Sequence, residues 1–171
     1  VSLRWDDAAG LVSGAVASDG REVGYGYDER GRLTFRELDL RTNRLARALA
    51  AQGVSEGSSI ALMARNHRGF VEATVAAAKL GADLLYLNTA FAGPQLVDVL
   101  EREAPSMVIH DEEFTGLLEG ADVPVRLLAW TDATGGDDTI ESLVSRYPDA
   151  DLTPPKRHAR IVILTSGTTG T

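Results

Sequence analysis

The chain has 171 residues and a formal net charge of −8, with 44% hydrophobic and 25% charged residues. This composition predicts a globular protein with a real core and excludes a largely disordered one. Because nucleic acid and anionic membranes repel an acidic chain, we expect no nucleic-acid partner. The sequence has no cysteine, which excludes disulfides and thiolate metal sites and fits a cytoplasmic location. No apolar run reaches bilayer length, so we expect no transmembrane segment.

The first elements along the chain are difficult to assign. Residues 1–20 are rich in Gly, Ala and Ser and show little periodicity. After them Val23, Tyr25 and Tyr27 alternate with Gly and charged residues, a Gly-containing turn follows at 28–31, and Leu33 and Phe35 come next. This pattern predicts a short N-terminal hairpin.

A capping box predicts the first helix. Thr34 and Glu37 are spaced so that the threonine hydroxyl can accept from the Glu37 N–H while the glutamate reaches back to Thr34. The helix is expected from Phe35 to Gln52, with Gly53 as its left-handed cap. Its apolar stripe comprises Leu38, Leu45, Ala46, Ala48 and Leu49.

The remainder alternates short apolar strands with amphipathic helices. Strands are predicted at 59–64, 84–87, 107–110, 126–130 and 160–165, and helices at 67–80, 93–103, 112–118 and 139–145. Asn66 is expected to cap the helix at 67–80 and Gly81 to close it. The alternation predicts an α/β fold with a mostly parallel sheet and helices on both faces.

The strongest candidate site is the end of the sequence. The apolar run from Ile161 to Leu164 predicts a buried strand, and ligands of open parallel sheets lie beyond the carboxyl ends of strands. The residues that follow it are Thr165, Ser166, Gly167, Thr168, Thr169 and Gly170. Glycines allow a sharp turn whose N–H groups can form an anion nest, and the hydroxyls add neutral donors. The pattern predicts binding of the ATP phosphates, the alternative being a generic Ser/Thr/Gly turn.

Three stretches resemble motifs of one family. Residues 161–171 resemble the phosphate-loop signature of the AMP-forming acyl-CoA synthetase, adenylation-domain and luciferase superfamily. Residues 33–38 and 78–88 are similar to its helix-entry and helix-Gly-strand motifs. Within the superfamily, residues 64–72, 87–96 and 109–114 resemble actinobacterial long-chain fatty-acid–CoA ligases. The resemblance implies ATP, Mg²⁺ and coenzyme A as cofactors and a fatty acid or related carboxylate as substrate.

The resemblance covers only the first part of such an enzyme. In the family the phosphate loop continues into Pro-Lys-Gly, whereas this sequence ends at Thr171. Residues 1–171 are therefore expected to be a single domain forming the N-terminal part of a large adenylation domain. We expect the isolated chain to be inactive, to bind no cofactor stably, and to self-associate through an uncovered sheet edge. The alternatives are an adenylation enzyme for an amino or aryl acid and a non-catalytic nucleotide-binding domain.

Four polar or aromatic positions have two interpretations each. His67 is either a ligand contact or a polar first-turn residue, and the second is favoured. His110, with Asp111 and Glu112, is either an acid–base or metal cluster or a structural residue. Because adjacent side chains on a strand diverge, a structural role is favoured and no metal site is predicted. Arg65 could meet an anion or lie on the surface, and Trp130 is expected to pack.

Overall fold

The computed structural model describes residues 2–6, 11–16, 22–24, 33–132 and 138–164. The chain divides into two compact units, Val1–Glu37 and Leu38–Thr171. Strands β1 (Ser2–Asp6), β2 (Leu11–Val16) and β3 (Glu22–Gly24) form an antiparallel sheet in the order β1-β2-β3.

The predicted hairpin is wrong in its second strand. β3 begins one residue before Val23, but its partner is the preceding strand β2. Leu33 lies outside any strand, and Phe35 is the first residue of a helix. The capping box at Thr34 starts that helix before a return strand can form. Strand β2 escaped prediction because its small residues carry little alternation. β1 does alternate, with Leu3 and Trp5 between polar residues, and this signal could have identified it.

Helix α1 (Phe35–Ala51) begins with the predicted capping box. The Thr34 N–H and hydroxyl donate to Glu37 Oε2 at 2.7 and 2.9 Å, and the Glu37 N–H donates to Thr34 Oγ1 at 3.1 Å. Gly53 follows the helix with a φ of +94°, as its predicted role requires. The local pattern was therefore sufficient to place both ends of this helix.

Five parallel strands make the second sheet. They are β4 (Ser59–Met63), β5 (Asp83–Tyr86), β6 (Met107–Asp111), β7 (Arg126–Trp130) and β8 (Ile161–Ile163), in the order β7-β6-β4-β5-β8. The connecting helices are α2 (Arg68–Leu80), α3 (Gly93–Glu103), a 3-10 helix (Glu112–Leu118) and α4 (Ile140–Arg146). The predicted α/β fold with a parallel sheet is confirmed.

Alternating side chains of the central strand β4 face two separate cores. Ile60 and Leu62 pack in a cluster that also contains Leu45 of α1 and residues of α2 and α4. Ala61 and Met63 pack in a second cluster with α3 and the 3-10 helix. Helices therefore cover both faces of the sheet, as the sequence predicts.

The last strand differs from its prediction. The apolar run predicted a buried strand, but Ile161, Val162 and Ile163 are 55%, 36% and 67% exposed. β8 lies at the end of the strand order, where it pairs with β5 on one side only among the described strands. Its apolar composition reflected β-propensity, which does not distinguish a central strand from an edge.

Candidate functional site

The carboxyl ends of the five parallel strands lie along one edge of the sheet. At this edge Ile163, the last residue of β8, is paired with Tyr86, the last residue of β5. Leu164 continues from β8 and packs against the second core cluster. The predicted phosphate-binding residues Thr165, Ser166, Gly167, Thr168, Thr169 and Gly170 follow next in the sequence and lie outside the described residues. Their role stays a prediction, while the edge from which they continue is defined.

The direction of chain winding reverses between β4 and β6. From β4 the chain proceeds to β5 on one side, whereas from β6 it proceeds to β7 on the other. In open α/β sheets, ligands bind in the crevice that such a reversal opens beyond the carboxyl ends. In this chain the position is occupied by a polar cluster, which comprises Arg65 and His67 after β4 and Asp111 and Glu113 at the end of β6 and just beyond it.

His67 joins the two loops of this cluster. The Gly69 N–H donates to His67 Nδ1 at 3.0 Å, which makes His67 the N-cap of α2. Because a backbone N–H can only donate, Nδ1 is the acceptor, and the proton of the neutral ring lies on Nε2. Nε2 lies 2.8 Å from Asp111 Oδ1 and donates to it. The prediction of Asn66 as the cap is wrong by one residue, because the imidazole supplies the acceptor at the position where the helix begins.

Asp111 is the centre of the cluster and is almost fully buried. Its Oδ1 accepts from His67, and its Oδ2 accepts from the Arg65 N–H at 2.7 Å. A buried carboxylate is stable only when its oxygens are hydrogen-bonded, and both oxygens have partners here. The sequence signal was an Asp at the end of a strand that begins with three apolar residues, but its partner on the loop after β4 is 44 residues away.

Arg65 pairs with Glu113 across the mouth of the cluster. Its Nε and Nη2 donate to the two carboxylate oxygens at 2.9 and 2.8 Å, and its guanidinium lies 5.0 Å from the centre of the Phe114 ring. These hydrogen bonds raise the pKa of Arg65 and lower the pKa of Glu113. An incoming anion would have to displace Glu113, so the surface role of Arg65 is the one seen here.

His110 has a structural environment. It is buried, and its Nδ1 lies 2.9 Å from the carbonyl oxygen of Asp111. Burial lowers the pKa of His110 below its ordinary 6.5, so the ring is neutral. Asp111 is directed to His67, whereas Glu112 is exposed. Within the described ranges, no three His, Asp or Glu side chains are grouped so that they could hold a metal ion.

Trp130 ends β7 beside the polar cluster. Its ring centroid lies 5.4 Å from that of His67, with the planes inclined by 51°. The indole is only half-buried, and it covers one side of the imidazole. This arrangement matches the predicted packing role.

No helix in the described part of the chain is long and apolar enough to cross a bilayer.

Comparisons with known proteins agree with the family predicted from the motifs. A family model described as AMP-binding enzyme matches residues 13–171. The long-chain-fatty-acid–CoA ligase FadD13 of Mycobacterium tuberculosis is 30% identical over 81% of this chain. An indoleacetate–CoA ligase of Aromatoleum aromaticum is 31% identical over 96% of it. The chain spans 28% and 32% of the lengths of these two relatives.

A solved structure supports the same assignment. The structure of a proposed long-chain-fatty-acid CoA ligase from Rhodopseudomonas palustris superposes with a TM-score of 0.67 at 26% identity. The match covers 79% of this chain and 35% of that one. With a family model that spans most of the sequence and a parallel sheet of the same fold, the chain belongs to the AMP-binding enzyme family.

Proposed function

We propose that this chain is the N-terminal part of the adenylation domain of an ATP-dependent acyl-CoA synthetase. Such an enzyme joins a carboxylate to ATP, which releases pyrophosphate and gives an acyl adenylate, and then transfers the acyl group to coenzyme A with release of AMP. The observation that supports this is β8, which runs parallel to β5 and ends at the carboxyl edge at Ile163, two residues before Thr165. We expect the enzyme to act in the cytoplasm, where ATP and coenzyme A are available.

The proposed roles follow from the chemistry of Thr165–Gly170. Backbone N–H groups and hydroxyls are neutral donors suited to the β- and γ-phosphates of ATP. Attack of the carboxylate on the α-phosphate, with loss of pyrophosphate, also requires charge to be neutralised where it develops. Among the described residues, no three His, Asp or Glu side chains are grouped so that they could hold a metal ion, and we assign no Mg²⁺ ligand there. We therefore expect weak nucleotide binding at most, and no ligase activity, from these residues alone.

Nucleotide binding is tested by displacing a fluorescent ATP analogue from the complete gene product, in which we expect stable binding. Thr168→Ala removes a donor from the proposed loop and should weaken ATP binding about tenfold. Thr153→Ala is the matched control, because Thr153 is an exposed threonine of the connector before β8. Equal affinities of the wild type and Thr168→Ala would contradict the assignment of the loop.

Catalysis is tested separately by pyrophosphate release with ATP, Mg²⁺, coenzyme A and a carboxylate. We expect no release above background from the isolated chain. Turnover by that chain would refute our proposal that these residues lack the catalytic groups. The control is the complete gene product under the same conditions, for which we expect release.

The substrate class has two candidates. Similarity to the FadD13 relative favours a fatty acid, whereas similarity to the indoleacetate–CoA ligase relative favours an aryl acid. We propose a fatty acid, because residues 64–72 and 87–96 resemble motifs of long-chain fatty-acid–CoA ligases. Pyrophosphate release by the complete gene product should be greater with long-chain fatty acids than with arylacetic or amino acids, and the reverse order would select the alternative.

We also propose that the isolated chain self-associates through β8. Ile161 and Ile163 are exposed on an edge strand, and such an edge is a template for pairing with another chain. Sedimentation velocity over a concentration series should show dimers or larger species that Ile163→Lys reduces. Val71→Lys is the matched control, because Val71 is an exposed apolar residue on helix α2. A monomer at every concentration would contradict the proposal.

A further inference from the structure

Burial of apolar side chains does not explain how β8 is held in register beside β5. The strand has three residues, and each of them is more than one-third exposed. Hydrophobic burial normally sets the register of a strand, because a slip by one residue moves its buried side chains to solvent. In β8 such a slip would cost little burial. The long connection from the end of α4 to β8 contains no further helix or strand.

Asp83, the first residue of β5, provides a fixed point beside the start of β8. It is 6% exposed and accepts hydrogen bonds from two arginines. Arg160 donates from its backbone N–H at 2.9 Å and from Nε and Nη2 at 3.0 and 2.6 Å. Arg157 Nη2 donates to both carboxylate oxygens at 2.7 and 3.0 Å. The carboxylate is therefore saturated by donors from the segment that enters β8.

The same contact defines the register directly. Leu84 is paired with Ile161, so Asp83 lies beside Arg160 one step earlier along the strands. The Leu84 N–H donates to the Arg160 carbonyl oxygen at 2.8 Å. A slip by one residue would move Arg160 by about 3.3 Å and break its backbone hydrogen bond to Asp83.

The connector is also packed closely at this edge. A Cβ on Gly81 would lie 2.8 Å from Pro155 Cβ and 3.2 Å from the Arg157 carbonyl oxygen. The Lys156 N–H donates to Glu56 Oε2 at 2.8 Å. These contacts bring Arg157 and Arg160 to Asp83, whose hydrogen bond from the Arg160 backbone N–H is specific to one β8 register.

We propose that Asp83, Arg157 and Arg160 form a register clamp that fixes β8 beside β5 and so sets where the segment beginning at Thr165 leaves the sheet. Asp83 is then a positioning residue for the phosphate-binding loop, and this last role rests on the proposed function. A slip of one residue would displace the start of that loop by about 3.3 Å, which is more than a hydrogen bond tolerates.

The sequence has no cysteine, so engineered cysteine pairs can report the register without background. Tyr86→Cys with Ile163→Cys joins paired positions and should form a disulfide in the native register. Tyr86→Cys with Val162→Cys should form one only after a one-residue slip, because Val162 lies on the opposite face in the native register. Both pairs share the Tyr86 substitution, so the ratio of their oxidation yields isolates the register from overall stability.

Asp83→Asn should lower the ratio of native to slipped disulfide about tenfold, because it removes a charge-assisted interaction from one register only. Asp39→Asn is the matched control, since Asp39 forms an exposed ion pair with Lys79 away from β8, and it should leave the ratio unchanged. An unchanged ratio in Asp83→Asn would overturn the clamp.

Arg160 provides a second test if Asp83→Asn does not fold, because its side chain is 72% exposed. Arg160→Gln should lower the ratio, and Arg160→Lys should preserve more of it by keeping the positive charge. Equal ratios in the wild type and Arg160→Gln would overturn the clamp in the same way. Failure of the complete gene product to bind ATP would contradict the proposed function but would leave this disulfide measurement, and the clamp, unaffected.

Discussion

Substitution of Glu72 by glutamine tests how the helices on one face of the sheet are held together. Glu72 lies on α2, and its side chain is 1% exposed. Arg41 of α1 donates to it from Nε at 2.5 Å and from Nη2 at 3.4 Å. Arg41 also donates to Glu141 of α4 at 3.1 and 2.6 Å, so one guanidinium connects three helices. Burial acts to lower the pKa of Arg41, but its hydrogen bonds to Glu72 and Glu141 outweigh burial and raise it.

The expected loss of unfolding free energy depends on the charge that remains buried after the substitution, which is the guanidinium of Arg41. Removing one partner of a buried ion pair costs about 3–5 kcal/mol, because the other charge stays buried without compensation. Arg41 keeps its two hydrogen bonds to Glu141, so Glu72→Gln should lower the free energy of unfolding by about 3 kcal/mol, the low end of that range. With a urea dependence of about 2 kcal/mol per molar, the unfolding midpoint should fall by about 1.5 M.

The assay is urea unfolding followed by tryptophan fluorescence and by circular dichroism. Asp39→Asn is the matched control, because its ion pair with Lys79 also joins α1 to α2 but the Asp39 side chain is 57% exposed. That control should lose less than about 1 kcal/mol. If Glu72→Gln lowers the free energy of unfolding no more than Asp39→Asn does, burial does not strengthen the ion pairs of Arg41, and this explanation is wrong.

Three further substitutions have expected outcomes, each measured by urea unfolding. His67→Ala removes both the cap of α2 and the donor to the buried Asp111 Oδ1 and should cost about 2–4 kcal/mol, whereas His158→Ala at an exposed position should cost almost nothing. Gly81→Ala forces a side chain into a φ of +68° and against the connector, and should cost about 2 kcal/mol, whereas Gly116→Ala meets nothing within 4 Å and should be nearly neutral. Because burial lowers the pKa of His110 in the folded state, its contribution to stability is fully present above pH 6.5 and is lost as the pH falls from 6.5 through that lower pKa. His110→Gln should therefore weaken the fall in stability below pH 6.5, and an identical pH profile would contradict this.

The fold was predictable from the sequence where short-range rules decide it. The capping box at Thr34 and Glu37 joins residues three positions apart, and both its hydrogen bonds are present. Gly81 closes α2 in the left-handed conformation for the reason that the sequence suggests. The alternation of strands and helices then leads to the parallel sheet. The antiparallel sheet at the start was missed, because β2 is rich in small residues and the alternation in β1 extends over only five residues.

The candidate site was less predictable, because its contacts connect distant parts of the chain. His67 and Asp111 are 44 residues apart, and Asp83 and Arg160 are 77 apart. Asp83 begins β5 and Asp111 ends β6, and each carboxylate is buried, so each requires hydrogen-bond partners. The local sequence pattern can show that an Asp in a buried strand is unusual. It does not identify the residue that donates hydrogen bonds to this Asp, because that residue is brought close only by the order of the strands.

β8 shows why the local sequence pattern and the order of the strands must be combined. Its apolar sequence correctly predicts a strand, but the same residues are compatible with a buried centre or an exposed edge. In the order β7-β6-β4-β5-β8 it is the last of the described strands, and its three residues are too exposed for their burial alone to fix its register. The charge cluster at Asp83 then becomes the specific contact at the start of β8. A signature that is recognised from a few adjacent residues therefore depends, for its position, on a carboxylate that belongs to a different strand.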